Sequence, residues 1–220
     1  MGTVIFDLDG TLADTSGDLL AAANACFAAM GHGDVLHAAT DAGTALRGGR
    51  AMLRLGLSRV GTADEAVIDV WYPKLLTAYA EAIDVHTVMY PGAMDAVEDL
   101  KTAGYRVGIC TNKPEGLAET LMQSLGVRAA FGSLIGADTL PVRKPDPEPL
   151  FEAVRRAGGD PAKCCLIGDT LTDRATAQAA GVPSVLVTFG PGPEDVRELQ
   201  PEATIDHFHE LPGVVARLLA

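Results

Sequence analysis

The sequence predicts an α/β protein: a Rossmann-like parallel sheet covered by helices, interrupted after its first strand by an all-helical insert. Three observations predict it. A short apolar run, Val4-Ile5-Phe6, stops abruptly at Asp7-Leu8-Asp9-Gly10-Thr11. From residue 14 to about 88 the apolar residues recur at helical spacing, with no convincing strand among them. After Tyr90-Pro91-Gly92 the chain alternates amphipathic helices with short apolar runs, the pattern of a sheet buried on both faces.

Taken in order, Val4-Ile5-Phe6 reads as a buried strand running into a glycine-bearing loop. Leu19, Ala23, Phe27 and Met30 then share one helix face over Ser16–Met30, with Asp14 or Ser16 placed to cap its start. Short helices over Thr40–Arg47 and Arg50–Leu57 flank Gly48-Gly49. A longer helix over Ala63–Ala82 spaces Val67, Trp71, Leu75 and Tyr79 four apart. Beyond Gly92 the expected order is helix Ala93–Ala103, strand Arg106–Cys110, helix Pro114–Leu125 and strand Ser133–Gly136. Helix Glu148–Ala157, strand Cys164–Ile167, helix Asp173–Ala180, strand Ser184–Val187 and a closing helix Leu211–Leu219 follow. Gly104, Gly126, Gly158 and Gly181 each stand just past a helix, where a left-handed terminator is needed. The expected division is residues 1–13 and 89–220 as the α/β core and residues 14–88 as the helical insert.

Composition narrows the function. The 220 residues are 48% hydrophobic and 21% charged, enough apolar material for a sizeable core. With 17 Lys and Arg against 29 Asp and Glu, the formal charge of −12 repels nucleic-acid phosphates and anionic lipid, so neither is an expected partner. A phosphorylated ligand would need local cations, backbone N–H groups or a metal to hold it. The first residues lack a basic n-region, and the longest apolar-looking segment, Leu19 to Met30, is broken by Asn24 and falls short of the roughly 18 residues of a membrane span. Cys26, Cys110, Cys164 and Cys165 form no C-x-x-C pair and read as small buried side chains rather than redox or metal ligands, which suits a reducing cytoplasm.

Open α/β sheets bind ligands beyond the carboxyl ends of their strands. Those positions hold Asp7 and Asp9 after the first strand, Thr111-Asn112 after the second core strand, and Asp169 with Asp173 behind it after a later one. Lys144 sits in the proline-stiffened loop Arg143-Lys144-Pro145-Asp146-Pro147. Asp7 and Asp9, two apart, point the same way in extended backbone. By themselves they could equally cap the following turn; with Asp169 and Asp173 converging, a hard oxygen-liking ion such as Mg²⁺ suits the set. Lys144 and Thr111 add a charge and a hydroxyl for phosphate oxygens. His32, His37, His86, His207 and His209 lack a partnered acid or cysteine and read as surface residues rather than a zinc site. Gly190-Pro191-Gly192-Pro193 is read as a loop, and no nucleotide-binding P-loop occurs.

Four ordered motifs, Asp7-Leu8-Asp9-Gly10-Thr11-Leu12, Thr111-Asn112-Lys113, Lys144-Pro145-Asp146-Pro147 and Gly168-Asp169-Thr170-Leu171-Thr172-Asp173, make the chain resemble the haloacid dehalogenase superfamily over nearly its whole length. The likeness is closest to the phosphoglycolate phosphatase branch, partly through Thr111-Asn112-Lys113-Pro114. The resemblance implies that the helical insert is a cap domain and that the activity is Mg²⁺-dependent hydrolysis of a small phosphorylated metabolite, best 2-phosphoglycolate. It makes Asp7 the nucleophile, Asp9 the acid and base, held partly protonated beside Asp7, and Asp7, the Asp9 backbone carbonyl, Asp169 and Asp173 the support of the metal. Thr111, the Asn112 N–H and Lys144 would hold the phosphoryl group. Arg47 and Arg50, flanking Gly48-Gly49 where the family has a Gly-Asn-Gly-like turn, read either as solvated loop arginines or as cations for a substrate carboxylate. A phosphosugar mutase of the same superfamily and a non-catalytic phosphometabolite sensor are the alternatives. Trp71 and Tyr79 stand for core or for a dimer contact, leaving monomer and homodimer both open.

Overall fold

The computed structural model describes residues 2–192 and 195–220, and the chain divides into two compact units. One holds residues 2–13, 89–190 and 195–220; the other holds residues 14–88 with Pro191 and Gly192. Pro193, counted above in the Gly190–Pro193 loop, lies outside the described residues, as does Met1.

The first unit is built on six strands: β1 (Thr3–Phe6), β4 (Arg106–Cys110), β5 (Leu134–Ile135), β6 (Cys164–Gly168), β7 (Ser184–Val187) and β8 (Ala203–Ile205). All pair in parallel, in the order β5-β4-β1-β6-β7-β8. Parallel pairing demands crossover helices, and the sequence supplies them: α5 (Ala93–Thr102), α6 (Glu115–Ser124), α7 (Glu148–Arg156), α8 (Leu171–Ala180) and α9 (Leu211–Leu218). Helix α7 packs on β1, β4 and β5, and α8 on β6 and β7. Ile5, Cys110, Ile135, Leu150, Val154, Leu166 and Ala177 close the core between them. Each fully buried aliphatic side chain of this kind contributes about 1.5–3 kcal/mol. Gly104, Gly126, Gly158 and Gly181 all have positive φ, as helix terminators require.

The strand order positions the site. The central strand β1 lies between β4 and β6, with Phe6 level with Ile109 on one side and Ile167 on the other. The chain therefore leaves the sheet at three adjacent points, after Phe6, Cys110 and Gly168, and a crevice opens where the winding direction reverses.

The second unit is helical: α1 (Ser16–Ala29), α2 (Ala38–Ala45), α3 (Gly49–Arg59) and α4 (Glu65–Glu81). Helix α1 packs on the other three. Gly56 lies under the Phe27 ring, where an added Cβ would come within 2.1 Å of a ring carbon. Two short strands absent from the expected helical stretch, β2 (Ala13–Asp14) and β3 (Val88–Met89), pair where the chain passes into and out of this unit. Such short segments show no period of their own, so sequence pattern misses them, as it misses the three-residue β8. Helix α1 starts after Thr15 rather than at an Asp14 or Ser16 cap, although Asp14 Oδ1 accepts the Ser16 N–H at 3.0 Å. All four cysteines are free and buried. Tyr79 is buried, while the Trp71 ring carries the Lys74 ammonium 3.8 Å from its centre. Among the described residues, no helix is long and apolar enough to cross a membrane.

Candidate active site

Asp7 follows directly from β1, and its own N–H still donates to the Ile167 carbonyl at 2.8 Å, so the residue is locked to the sheet. Its Oδ1 accepts the Leu8 N–H at 2.7 Å and its Oδ2 faces Lys144 Nζ at 3.1 Å. Burial pushes the Asp7 carboxyl up to about 7; Lys144 opposes the rise, while Asp173 and Asp9 reinforce it.

Asp169 follows β6, and Asp173 lies in the first turn of α8. Gly168 makes their approach possible, since a Cβ there would stand 2.4 Å from the Asp173 side chain. Asp173 is fully buried with both oxygens engaged: Oδ1 takes Lys144 Nζ at 2.6 Å, and Oδ2 takes the Thr170 hydroxyl at 2.7 Å with the Asp169 and Thr170 N–H groups at 3.3 and 3.2 Å. Thr170 thus forms a capping box with Asp173 that sets the start of α8 and orients the acid together. Burial drives the Asp169 carboxyl well above the ordinary range, with Asp173 and Asp7 adding repulsion.

Lys144 is buried between two of these acids. Burial alone would lower its pKa, but Asp173 and Asp7 hold it above the usual lysine value, so the ammonium stays charged. Its loop is tied down by the Asn112 side-chain amide, which donates to the Lys144 carbonyl at 3.0 Å. Asn112 therefore supports Lys144 through its side chain, a role its place in the motif does not announce. Thr111 is buried after β4, and its Oγ1 accepts the Lys113 N–H at 3.1 Å.

The structure brings together Asp7, Asp9, Asp169, Asp173, Thr111, Asn112 and Lys144 through these bonds and the sheet register. Arg47 and Arg50 belong to the helical unit. There Arg50 pairs with Asp69 at 2.7 Å and lies over the Tyr72 ring. Three further residues join the site without having been singled out. Thr11, fully buried, donates its hydroxyl to Asp169 Oδ1 at 2.9 Å. Lys113 reaches Asp9 Oδ1 at 2.8 Å. Gly190 packs its backbone close to Gly10 and Asp169, where a Cβ would meet the Gly10 carbonyl at 3.1 Å. Asp7 is the more deeply buried of the pair, and Asp9 Oδ1 meets the Lys113 ammonium.

Charge and ligand type test whether a metal ion fits. Asp7, Asp169 and Asp173 each offer a carboxylate oxygen within 4.8 Å of the others. Counting Asp9, four carboxylates face two ammonium groups; burial raises Asp7 and Asp169, and repulsion among the acids adds to the rise. An all-oxygen set lacking two positive charges fits a hard divalent cation.

An open parallel sheet with a buried carboxylate cluster beyond its central strands has the arrangement of an α/β enzyme. Comparison with known proteins gives the family. Residues 1–181 match the model of the haloacid dehalogenase-like hydrolases. A phosphoglycolate phosphatase of Mesorhizobium japonicum is 40% identical over 220 residues, covering 98% of this chain and 95% of its own. One from Agrobacterium fabrum is 36% identical over 98% of this chain and 93% of its own. The crystal structure of a predicted phosphoglycolate phosphatase from Haemophilus somnus superposes with a TM-score of 0.82 at 21% identity, over 97% of each chain, and shows the same fold. The chain belongs to the haloacid dehalogenase-like hydrolases.

Proposed function

We propose that the chain is a phosphomonoester hydrolase that acts on 2-phosphoglycolate through a phosphorylated Asp7. The observation that carries the reading is Asp7 itself, fixed to the central strand with Lys144 beside it and two further acids within reach of one ion. The identity to phosphoglycolate phosphatases over almost the whole chain supports the substrate.

In the first half-reaction an Asp7 oxygen attacks phosphorus, the ester bond breaks and Asp9 gives its proton to the departing oxygen. In the second, water attacks the same phosphorus, Asp9 takes the water proton, and Asp7 is released with inorganic phosphate. Lys144 offsets charge between Asp7 and the phosphoryl oxygens, while the Thr111 hydroxyl and the Asn112 N–H bind one of those oxygens. Asp7, the Asp9 carbonyl and Asp169 would hold Mg²⁺, with Asp173 fixing Lys144 and Asp169 behind them. When bound, the ion supplies positive charge that keeps Asp7 ionised and draws charge off the phosphate. Each residue's contribution belongs to a large total, because accelerations for phosphate monoesters approach about 10²¹-fold.

We assign residues 14–88 the role of a cap domain that governs substrate choice, on a core of residues 1–13 and 89–220. Within the cap Arg47 and Arg50 add positive charge on which a substrate carboxylate can draw, although Arg50 must first give up Asp69. The buried free cysteines suit a cytoplasmic enzyme, working as monomer or homodimer.

The test is phosphate release from a set of small phosphorylated metabolites, with Mg²⁺ and with chelator. A marked preference for 2-phosphoglycolate that disappears with chelator is expected. Broad, weak hydrolysis would remove the substrate assignment, and no hydrolysis would remove the activity.

A further inference from the structure

Two buried lysines divide the acids of the site. Lys144 bridges Asp7 and Asp173, on the phosphoryl side of the reaction; Lys113 takes Asp9, the acid that must serve the departing oxygen. The reaction as proposed gives Lys113 no part, yet its side chain is only 3% exposed and its main chain is fixed on both sides. Its N–H donates to Thr111 Oγ1 at 3.1 Å, and its carbonyl accepts the Ala137 N–H at 2.9 Å. A long flexible side chain held this way has already lost the rotamer freedom that binding would otherwise cost.

We propose that Lys113 is a specificity-determining residue: its ammonium, ordered by Asp9, takes the carboxylate of an acidic leaving group. The enzyme thereby selects phosphate esters of small hydroxy acids over esters of neutral alcohols. The inference rests on Asp9 serving the departing oxygen. Given that, geometry follows from bond lengths. A carboxylate on the carbon next to the ester CH₂ oxygen lies roughly 3 Å from that oxygen. Asp9 must itself come within hydrogen-bond reach of the same oxygen, and Lys113 Nζ is 2.8 Å from Asp9. The substrate carboxylate and the ammonium therefore both lie near Asp9, and rotation about the ester C–O bond can swing the carboxylate toward the ammonium.

Electrostatics points the same way. A trianionic substrate approaching a chain of net charge −12 needs a local cation for each anionic end. Lys144 serves the phosphate end. In the helical unit Arg50 is already shared between Asp69 and the Tyr72 ring. Lys113, mounted on the rigid edge of the sheet, is the core's own cation for the other end.

The experiment compares kcat/KM for 2-phosphoglycolate and for ethyl phosphate in the wild type, K113M and K113R, with Mg²⁺ present. K113M is expected to slow both esters, since Asp9 loses its partner. The acidic ester falls further, so the ratio of the two kcat/KM values drops about tenfold or more, with the excess in KM. K113R, which keeps the cation, holds the ratio within about threefold. An equal fall on both esters would overturn the proposal and leave Lys113 as support for Asp9 alone. A wild type that hydrolyses neither ester would instead remove the phosphatase reading. Should K113M not fold, K113Q and K113R carry the same comparison, and an unchanged ratio in K113Q would sink the inference.

Discussion

The two units of this chain use the same charged residues to opposite ends. In the α/β unit Asp7, Asp169 and Asp173 are buried together around one lysine, and burial with mutual repulsion raises Asp7 and Asp169 far above their ordinary values. In the helical unit the ion pairs Arg50–Asp69 and Arg54–Glu65 stand about half in solvent. Its buried acids are relaxed. Asp18 accepts the His86 and Thr87 N–H groups and the Thr87 hydroxyl, and Asp41 accepts the His37 N–H and a two-pronged contact from Arg59. The helical unit spends its carboxylates on holding backbone and neighbouring helices in place. The sheet edge keeps its carboxylates short of positive charge, which is a cost to the fold and a readiness for a cation.

Substitutions in each unit can break this contrast. The largest effect is expected from Asp7→Asn, which should lower phosphate release at least about 10⁴-fold while circular dichroism stays unchanged. Appreciable turnover in that variant would take Asp7 out of the chemistry. Lys144→Met leaves Asp7 and Asp173 buried without their shared cation, and urea unfolding should show a loss of about 3–5 kcal/mol. A loss below about 1 kcal/mol would mean that the acids there are as relaxed as those of the helical unit.

A smaller effect is expected from Asp41→Asn. Hydrogen bonds from Arg59 hold the Asp41 carboxyl down to about 2, against burial. A folded-state value depressed below the unfolded one stabilises above about pH 4, and the gain disappears as pH falls towards 2. With Arg59 partly in solvent, about 1 kcal/mol is at stake. The melting temperatures of wild type and variant should differ at pH 6 and converge by about pH 2. A gap that stays constant across that range would remove the ionised pair as its cause. Smallest of all, Arg54→Ala should cost less than about 0.5 kcal/mol, since its partner Glu65 is exposed; a larger loss in thermal unfolding would give surface pairs of this unit a weight they do not have here.

What could be read from the sequence tracks the range over which the signal acts. Strands β4 and β7 fall where their apolar runs place them, and the four glycine terminators are local events with a local cause. The edge strand Ala203-Thr204-Ile205, between Glu202 and Asp206, is three residues long and too short to show alternation. At the site, Asp7 and Asp169 were legible because a charge at the end of a buried strand is out of place unless something needs it. The partners of those acids were not. Thr11 meets Asp169 across 158 positions of sequence and Lys113 meets Asp9 across 104, and only strand order joins them. Asn112 was legible as a site residue, but its side chain turns to the Lys144 carbonyl, 32 positions on, which no motif spells out.

Residues 14–88 begin and end on two paired strands, Ala13–Asp14 and Val88–Met89. An insertion whose two ends are hydrogen-bonded neighbours imposes no strain on the sheet that carries it, whatever its length. Evolution can therefore lengthen, shorten or exchange this block without shifting the register of β1 against β4 and β6. The sheet edge is inherited as one unit and the helical block as another, and the chain passes between them through these two strands.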